Sequence, residues 1–463
     1  MIRIDVLPDE VLLEMFNFYV KIYSPSITSV KTGVEKWQSL VHVCRRWRNL
    51  VLGSPHRLNL QLYCTHKTPA MDTLDVWPAL PLIIRGYIIG SSGMCNVITA
   101  LGQSNRVCQV SLSNLVDMEL EKILAAMQVP FPGLTHLQLF SRGKTVLGIP
   151  DSFLGGSAPR LRYFHLDGIP FPGLPKLLLS ATHLVDLRLE NIPHSGYISP
   201  EAIVALLSVS PSFERLIVEF QSPQSRPDRE TRRRPPSKRS VIPALILLRF
   251  KGVIEYLEDL VTGIDAPRLD RMNITFFNQI DFDTPRLAQF INRTPQLRKR
   301  VAHASVHFSD NFARIGLPPG ISTLEIGISC IEPDWQLSSI EQLCNSSLHP
   351  LSMVEDLYIE HRYLQLVLKD DAIENTLWLQ LLLPFTVVKN LYLSKESAPG
   401  IAAALQELVG GRIFDVLPSL QNIFVKGLEP SGPFQKNIGQ FVAARQLSNH
   451  TITISDWDGR RRL

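Results

Sequence analysis

The residues best spaced for chemistry are His303 and His307, which have Asp310 close by in the sequence. Histidines and a carboxylate are common zinc ligands. The surrounding pattern predicts a strand, however, in which residues four apart share a face but lie about 13 Å apart at Cα. Two ligands of one zinc ion cannot be so distant. The sequence therefore predicts surface histidines here, and neither a metal nor another cofactor.

Catalytic motifs are missing from the sequence. It has no Gly-x-Ser-x-Gly nucleophile elbow, no Gly-x-x-x-x-Gly-Lys-Ser/Thr phosphate loop and no Gly-x-Gly-x-x-Gly fingerprint. This argues against an enzyme on an α/β scaffold, which would need a deep pocket with clustered titratable groups. We therefore expect a protein without catalytic residues, which acts by binding.

Composition narrows the class of protein further. The chain has 463 residues and a net charge of only +4, so no global positive field indicates a nucleic-acid partner. Residues 221–240 are basic, polar and proline-rich, which predicts a disordered loop, with a nuclear-import or phosphate-binding tract as the alternative. Scattered cysteines and the lack of a membrane-spanning apolar stretch predict a location in the cytoplasm or nucleus.

The first sixty residues predict amphipathic helices with more apolar surface than they can bury. Apolar stripes at helical spacing are formed by Val11, Leu12, Met15 and Phe16, and by Val43, Cys44, Trp47, Leu50 and Val51. Two or three short helices cannot bury both stripes between themselves. An apolar stripe that stays exposed usually marks a site for a partner.

The order of residues in this segment resembles the F-box. The matching residues are Leu-Pro-x-Glu-x-Leu-x-x-Met-Phe from Leu7 to Phe16, Val-x-Val-Cys-Arg-x-Trp-Arg-x-Leu-Val from Val41 to Val51, and Ser54-Pro55. The link at residues 20–36 is longer than is usual in that family.

The resemblance implies a helical domain over residues 1–60 that docks onto a Skp-type adaptor and so joins a cullin-based ubiquitin ligase. The residues that it implies for the domain core and the adaptor contact are Leu7, Pro8, Leu12, Met15, Phe16, Val43, Cys44, Trp47 and Leu50.

Residues 61–432 repeat the unit apolar-x-x-apolar-x-apolar. Clear copies begin at Leu134, Leu161, Leu184, Phe213, Leu245, Leu269, Ile321, Val354, Val388 and Leu420, and less clear ones at Ala79, Val107 and Val301. Helix-like segments lie between them at 116–128, 200–209, 254–264, 285–292, 338–348, 375–383 and 401–409.

This alternation resembles an irregular leucine-rich-repeat solenoid with parallel strands inside and helices outside. The Asn or Cys that usually follows the third apolar position is seldom present. An ordinary α/β domain with parallel strands is the alternative, and residues 433–463 are predicted to be a cap or a tail.

Side chains alternate along a strand, so the positions between the apolar ones should lie on the opposite face. On that face the sequence predicts a basic group formed by Arg188, Arg215, Arg249, Lys251 and Arg271, and an aromatic column formed by Tyr358, Tyr392 and Phe424. Guanidinium groups bind acidic or phosphorylated segments, and aromatic side chains anchor peptides. For any single residue a solvated or packed face is the simpler interpretation, but the surface as a whole predicts target binding.

Together these features predict a substrate-recognition subunit of a Skp–cullin–F-box E3 ubiquitin ligase with an α/β fold. Its partners would be a Skp-type adaptor, a cullin and an unknown protein target, with neither nucleic acid nor membrane. The alternative is a non-enzymatic repeat scaffold or receptor that binds an adaptor without ubiquitin transfer.

Overall fold

The computed structural model describes residues 6–22, 36–67, 70–88, 93–143, 148–171, 176–223, 239–277, 284–297, 302–317, 323–346, 351–361, 371–408, 410–429 and 432–457. The chain divides into two compact units, Met1–Ile198 and Ser199–Leu463. This division falls inside the repeat region predicted for residues 61–432, and the predicted domain limits stay predictions. Most of the basic loop at 221–240 and of the link at 20–36 lies outside the described residues.

The first unit opens with helices α1 (Asp9–Ile22), α2 (Lys36–Val41) and α3 (Arg45–Gly53). Its strands are β1 (Leu62–Thr65), β2 (Leu82–Tyr87), β3 (Val107–Leu115), β4 (His136–Ser141), β5 (Tyr163–Asp167) and β6 (Asp186–Ile192). Each pairs in parallel with the next in chain order. Helices between them in sequence are α4 (Ala70–Val76), α5 (Met94–Leu101), α6 (Asp117–Ala126) and α7 (Lys176–Ser180).

The opening helices are attached to the start of this sheet through Trp37 on α2. Its indole Nε1 donates to the carbonyl of Gln61, just before β1, at 3.0 Å. Its ring also packs edge-on against Trp77, after α4, with centroids 5.0 Å apart. Because Trp37 is only 3% exposed, these contacts bury a large aromatic surface and hold α2 against the first strands.

The second unit alternates in the same way. Its strands are β7 (Arg215–Phe220), β8 (Ser240–Val241), β9 (Leu247–Gly252), β10 (Ile264–Asp265), β11 (Arg271–Phe277), β12 (His303–Ser309), β13 (Phe312–Leu317), β14 (Thr323–Ser329), β15 (Asp356–His361), β16 (Asn390–Leu393), β17 (Asn422–Val425) and β18 (Thr453–Asp456). Its helices are α8 (Pro200–Val209), α9 (Ile254–Thr262), α10 (Pro285–Arg293), α11 (Pro333–Asn345), α12 (Asp371–Leu382), α13 (Ala398–Gln406) and α14 (Pro433–Leu447).

The strand order of the second unit differs from the predicted succession of parallel repeats. Neighbours in the sheet run β7-β9-β11-β14-β13-β12-β15-β16-β17-β18, while β8 and β10 form a separate parallel pair. Strand β13 is antiparallel to both β12 and β14. Asp310 and Asn311 form a tight turn between β12 and β13, and so short a connection can join only antiparallel strands. The two predicted copies that start at Val301 and Ile321, residues outside the described ranges, correspond to β12 and β14, which run parallel to one another. They are not successive neighbours, however, because β13 lies between them and β14 rather than β12 pairs with β11.

Other sequence patterns agree with the structure. The predicted α/β fold with a large, mostly parallel sheet is confirmed. Helix α8 spans the predicted residues, and Ser199 caps it by accepting a hydrogen bond from the backbone N–H of Ala202. Proline fits at the first helical position, because a backbone N–H there would have no partner within the helix and its absence costs nothing. None of the helices in the described ranges is long and apolar enough to cross a membrane.

Candidate protein-binding surfaces

Helices α1, α2 and α3 share a small apolar core. Leu12 and Phe16 on α1 are 0% and 2% exposed, and Val51 on α3 is fully buried. The Phe16 ring packs against that of Trp47 on α3, with centroids 4.7 Å apart and planes at 57°. Apolar residues spaced three or four apart therefore fix how the helices pack.

A second apolar stripe on α1 stays exposed. Val11, Met15 and Phe18 are 43%, 43% and 68% exposed, and Val43, in the turn before α3, is 58% exposed. With Val6, ahead of α1, these residues form what we call the exposed apolar set. Scattered apolar side chains are normal on a surface, but five within one small helical segment indicate a contact site.

Polar contacts hold the start of α1 and the start of α3, the segments that carry this set. Arg46 on α3 lies 2.6 Å from a carboxylate oxygen of Asp9 and donates to the carbonyl of Leu7, also at 2.6 Å. Cys44 caps α3, since its Sγ accepts from the backbone N–H of Trp47. An exposed ion pair contributes little to stability, but the bond to Leu7 fixes the Leu7–Pro8 segment relative to α3.

The structure places the predicted adaptor residues in different environments. Pro8, Met15, Val43 and Cys44 are exposed, Leu7, Trp47 and Leu50 are half-buried, and Leu12 and Phe16 are buried in the core. Leu12 and Phe16 can therefore support a contact surface but cannot themselves touch a partner. Phe18 escaped the sequence analysis, although it continues the helical spacing of Val11 and Met15.

The predicted basic group does not form one patch of free cations. Arg188 lies on β6 of the first unit, and its guanidinium forms a bidentate pair with Asp186, with the shortest N–O distance 2.9 Å. This hydrogen bond raises the pKa of Arg188. In the second unit, Arg249 lies 3.9 Å from Glu219, and Arg271 lies 3.5 Å from Asp270.

Arg215 on β7 also has an interaction partner. Lys251 on β9 differs from these arginines, because its ammonium makes no ion pair with the residues that the structure describes and lies 5.4 Å from the ring centroid of Phe277. Most of the cations in the predicted basic group thus interact with nearby residues, three of them with a neighbouring carboxylate.

The predicted aromatic column is present in the second unit. Tyr358, Tyr392 and Phe424 lie in register on β15, β16 and β17. Tyr358 stacks on Tyr392 with centroids 4.3 Å apart, and Tyr392 on Phe424 at 4.6 Å. Burial, followed by the neighbouring Tyr392 and Asp356, raises the pKa of Tyr358 to about 12.

A fourth aromatic residue, Trp457, packs against the column and was not predicted. Its ring centroid lies 5.4 Å from that of Tyr392 and 5.9 Å from that of Tyr358. Trp457 is 8% exposed, while the three column residues are half-buried. One side of the column is therefore already covered, and only part of its aromatic surface is open to a partner. Its role in target binding stays a prediction.

A row of polar side chains lies beside the column, two residues earlier along the same strands. Asn390 donates to Asp356 at 2.6 Å, and Asn422 donates to Asn390 at 2.8 Å. Thr453 then donates to Asn422, and His303 lies 2.7 Å from the carboxylate of Asp356 at the other end. We call Asp356, Asn390, Asn422 and Thr453 the hydrogen-bonded row. His303 lies beside it without a hydrogen bond from its Nδ1 within the described residues. Each amide both donates and accepts, so the row fixes the spacing of the strands beneath the column.

Both histidines of the pair lie on β12, in a strand as predicted. His303 faces Asp356, and His307 lies 3.5 Å from Glu360, so each histidine has its own carboxylate on β15. Within the described ranges, no group of three or more His, Cys, Asp or Glu side chains is arranged to hold a metal.

Comparison with known proteins adds no relative: the chain matches no family model and no curated protein. The resemblances noted in the sequence therefore depend on their motif residues alone.

Proposed function

We propose that the chain is a substrate-recognition subunit of a Skp–cullin–F-box E3 ubiquitin ligase. The observation that carries the proposal is the exposed apolar set on helices whose other apolar face is buried around Phe16 and Trp47. Two of its five members, Met15 and Val43, are residues of the F-box-like motif. An apolar surface supported by a buried core is suited to a partner that covers it.

In this proposal the strands and helices that follow form an irregular leucine-rich-repeat solenoid, whose polar face holds the target. The half-buried aromatic column in the second unit supplies anchors, because aromatic side chains dominate binding energy at protein interfaces. The chain contributes no catalytic group. It raises the effective concentration of the target beside the ubiquitin-carrying enzyme, which converts a rare encounter into a local one.

Co-purification of the full tagged chain with a recombinant Skp-type adaptor and a cullin tests the proposal. The informative variant is Met15→Asp with Val43→Asp, because both side chains are exposed and their replacement leaves the core intact. Met118→Asp with Val129→Asp is the matched control, since these residues are 64% and 48% exposed elsewhere in the first unit. Circular dichroism should show that both variants fold.

We expect wild type and control to retain both partners, and the Met15/Val43 variant to lose both. An introduced carboxylate in an apolar interface must be desolvated, which costs about 2–5 kcal/mol and so reduces affinity at least tenfold. Capture of neither partner by wild type would reject the proposal. Capture of the adaptor without the cullin would instead favour a receptor that acts without ubiquitin transfer.

A further inference from the structure

A cavity of about 270 Å³ opens on the polar face of the second unit, over strands β9, β11, β14 and β13. The residues that shape it are Lys251, Asn273, Thr275, Arg314, Glu325 and Gly327. Of these, only Lys251 belongs to the basic group predicted from the sequence. The aromatic column lies on other strands, so this cavity is a separate feature of the same face.

The strand register explains why a cavity forms here. Lys251, Thr275, Gly327 and Arg314 lie in one row across four neighbouring strands. Strands are about 4.8 Å apart, so the two cationic residues stand about 14 Å apart at Cα. Between them lie Thr275, which has a short side chain, and Gly327, which has none.

Gly327 lies on the floor of the cavity and places no side chain there. A Cβ atom there would lie 2.9 Å from the Ala313 carbonyl oxygen and from Cβ of Arg314. Glycine inside a strand weakens the sheet and often marks a place where another group approaches the backbone closely. The antiparallel strand β13 brings Arg314 to the far side of this floor.

The charged residues that line the cavity are Lys251, Arg314 and Glu325, which sum to one positive charge. Arg314 Nη1 lies 2.5 Å from a carboxylate oxygen of Glu325, so these two residues neutralise one another. Arg314 Nε is buried and has no hydrogen-bond partner among the described residues. Lys251, across the cavity, has no ion-pair partner in the described part of the chain. Asn273 and Thr275 add neutral hydrogen-bond donors to the wall.

We propose that this cavity receives a carboxylate side chain of the target protein, with Lys251 as its ionic partner. The inference rests on the proposed function, in which the polar face holds a target. Typical small-molecule pockets have volumes of about 300–1,000 Å³, so this cavity is smaller than most of them. Its size suits one side chain of a bound protein. A single excess positive charge balances a carboxylate, whereas a phosphate dianion would remain half-compensated.

Ligand-observed NMR on the full chain tests this with N-acetyl-glutamic acid amide as the probe. N-acetyl-glutamine amide has nearly the same shape without the charge, and N-acetyl-phosphoserine amide carries a dianion. We expect the acid to bind at least tenfold more tightly than the neutral amide, and the phosphoserine probe to bind no more tightly than the acid. Lys251→Met should abolish binding of the acid.

Lys389→Met is the matched control, because that lysine pairs with Glu355 elsewhere in the same unit and should leave probe binding unchanged. The assignment would be overturned if the acid did not bind, or if it bound no more tightly than the neutral amide. It would also be overturned if the Lys251→Met variant bound the acid as well as wild type does, or if the phosphoserine probe bound more tightly than the acid. Adaptor capture without acid binding rejects this site alone. Acid binding without adaptor capture rejects the ligase function and leaves the carboxylate site standing.

Discussion

The ring of Phe16 on α1 lies against the ring of Trp47 on α3, with 4.7 Å between their centroids. Two residues further along α1, Phe18 is 68% exposed. Two phenylalanines close together on one helix thus lie in opposite environments, one buried and one exposed. The first holds the helices together, and the second lies in the exposed apolar set.

This difference predicts that Phe16→Ala destabilises the first unit and Phe18→Ala does not. Removing a buried phenylalanine costs about 3–5 kcal/mol, because burial is lost and a cavity remains. Phe18→Ala should change the free energy of unfolding by less than about 0.5 kcal/mol. Urea unfolding, followed by tryptophan fluorescence, measures both. Equal effects of the two substitutions would contradict this assignment of core and surface.

The hydrogen-bonded row makes Asn390 a stabilising residue of the second unit. Asn390→Ala leaves Asp356 without an amide donor and Asn422 without its acceptor, so we expect a loss of about 1–3 kcal/mol. Asn390→Asp is more specific, because it places a second carboxylate beside Asp356 and keeps the shape of the side chain. Its destabilisation should be relieved at acidic pH, when carboxylates become protonated. An Asp variant as stable as wild type at neutral pH would show that the row contributes nothing.

Arg445 on α14 is fully buried and binds the chain before β17. Its guanidinium donates to the carbonyls of Val416, Leu417 and Pro418 at 3.0–3.1 Å. Burial lowers its pKa, yet the carbonyl oxygens and the rings of Phe414 and Phe441 surround the charge favourably. Arg445→Met should therefore cost about 3 kcal/mol or more, because two buried carbonyls and one half-buried carbonyl lose their donor.

Arg412→Met is the control for this prediction. The Arg412 side chain is 68% exposed and lies 3.7 Å from Asp415, so the exchange should cost less than about 1 kcal/mol. Thermal unfolding of the full chain measures both variants. A loss for Arg445→Met no larger than for Arg412→Met would contradict the stabilising role of these hydrogen bonds.

His361 at the end of β15 predicts a dependence of stability on pH. It is 7% exposed beside Phe308, and burial lowers its pKa below the ordinary value of 6.5, with Glu396 and Asp310 opposing this more weakly. Below that value the unfolded chain takes up a proton that the folded chain does not, so stability falls as the pH falls. Above it, both states are neutral at this residue and its effect is constant.

We expect His361→Leu to reduce this slope when the free energy of unfolding is measured between about pH 5 and pH 7.5. Burial also lowers the pKa of His136 and His66, so part of the slope should survive the substitution. His183→Leu is the control for the exchange of a histidine at an exposed position. A variant at position 361 with the slope of wild type would contradict the prediction.

The sequence alone determined several helices and the face on which many strand residues lie. The helix-like segment predicted at 200–209 is α8. The two-residue alternation put Tyr358, Tyr392 and Phe424 on one face, and the structure stacks them. These results follow from periodicity, which depends on neighbours within a few residues.

Tertiary structure decided what depends on pairing between distant segments. The turn at Asp310 and Asn311 reversed β13, which placed Arg314 across a bare floor from Lys251, more than sixty residues earlier in the chain. Packing around Trp47 decided that Phe16 is core while Met15 is surface, although both belong to one apolar run. Trp457 reached the aromatic column only through the position of β18. Local patterns cannot fix such contacts, because non-local packing selects among strand orders with the same periodicity.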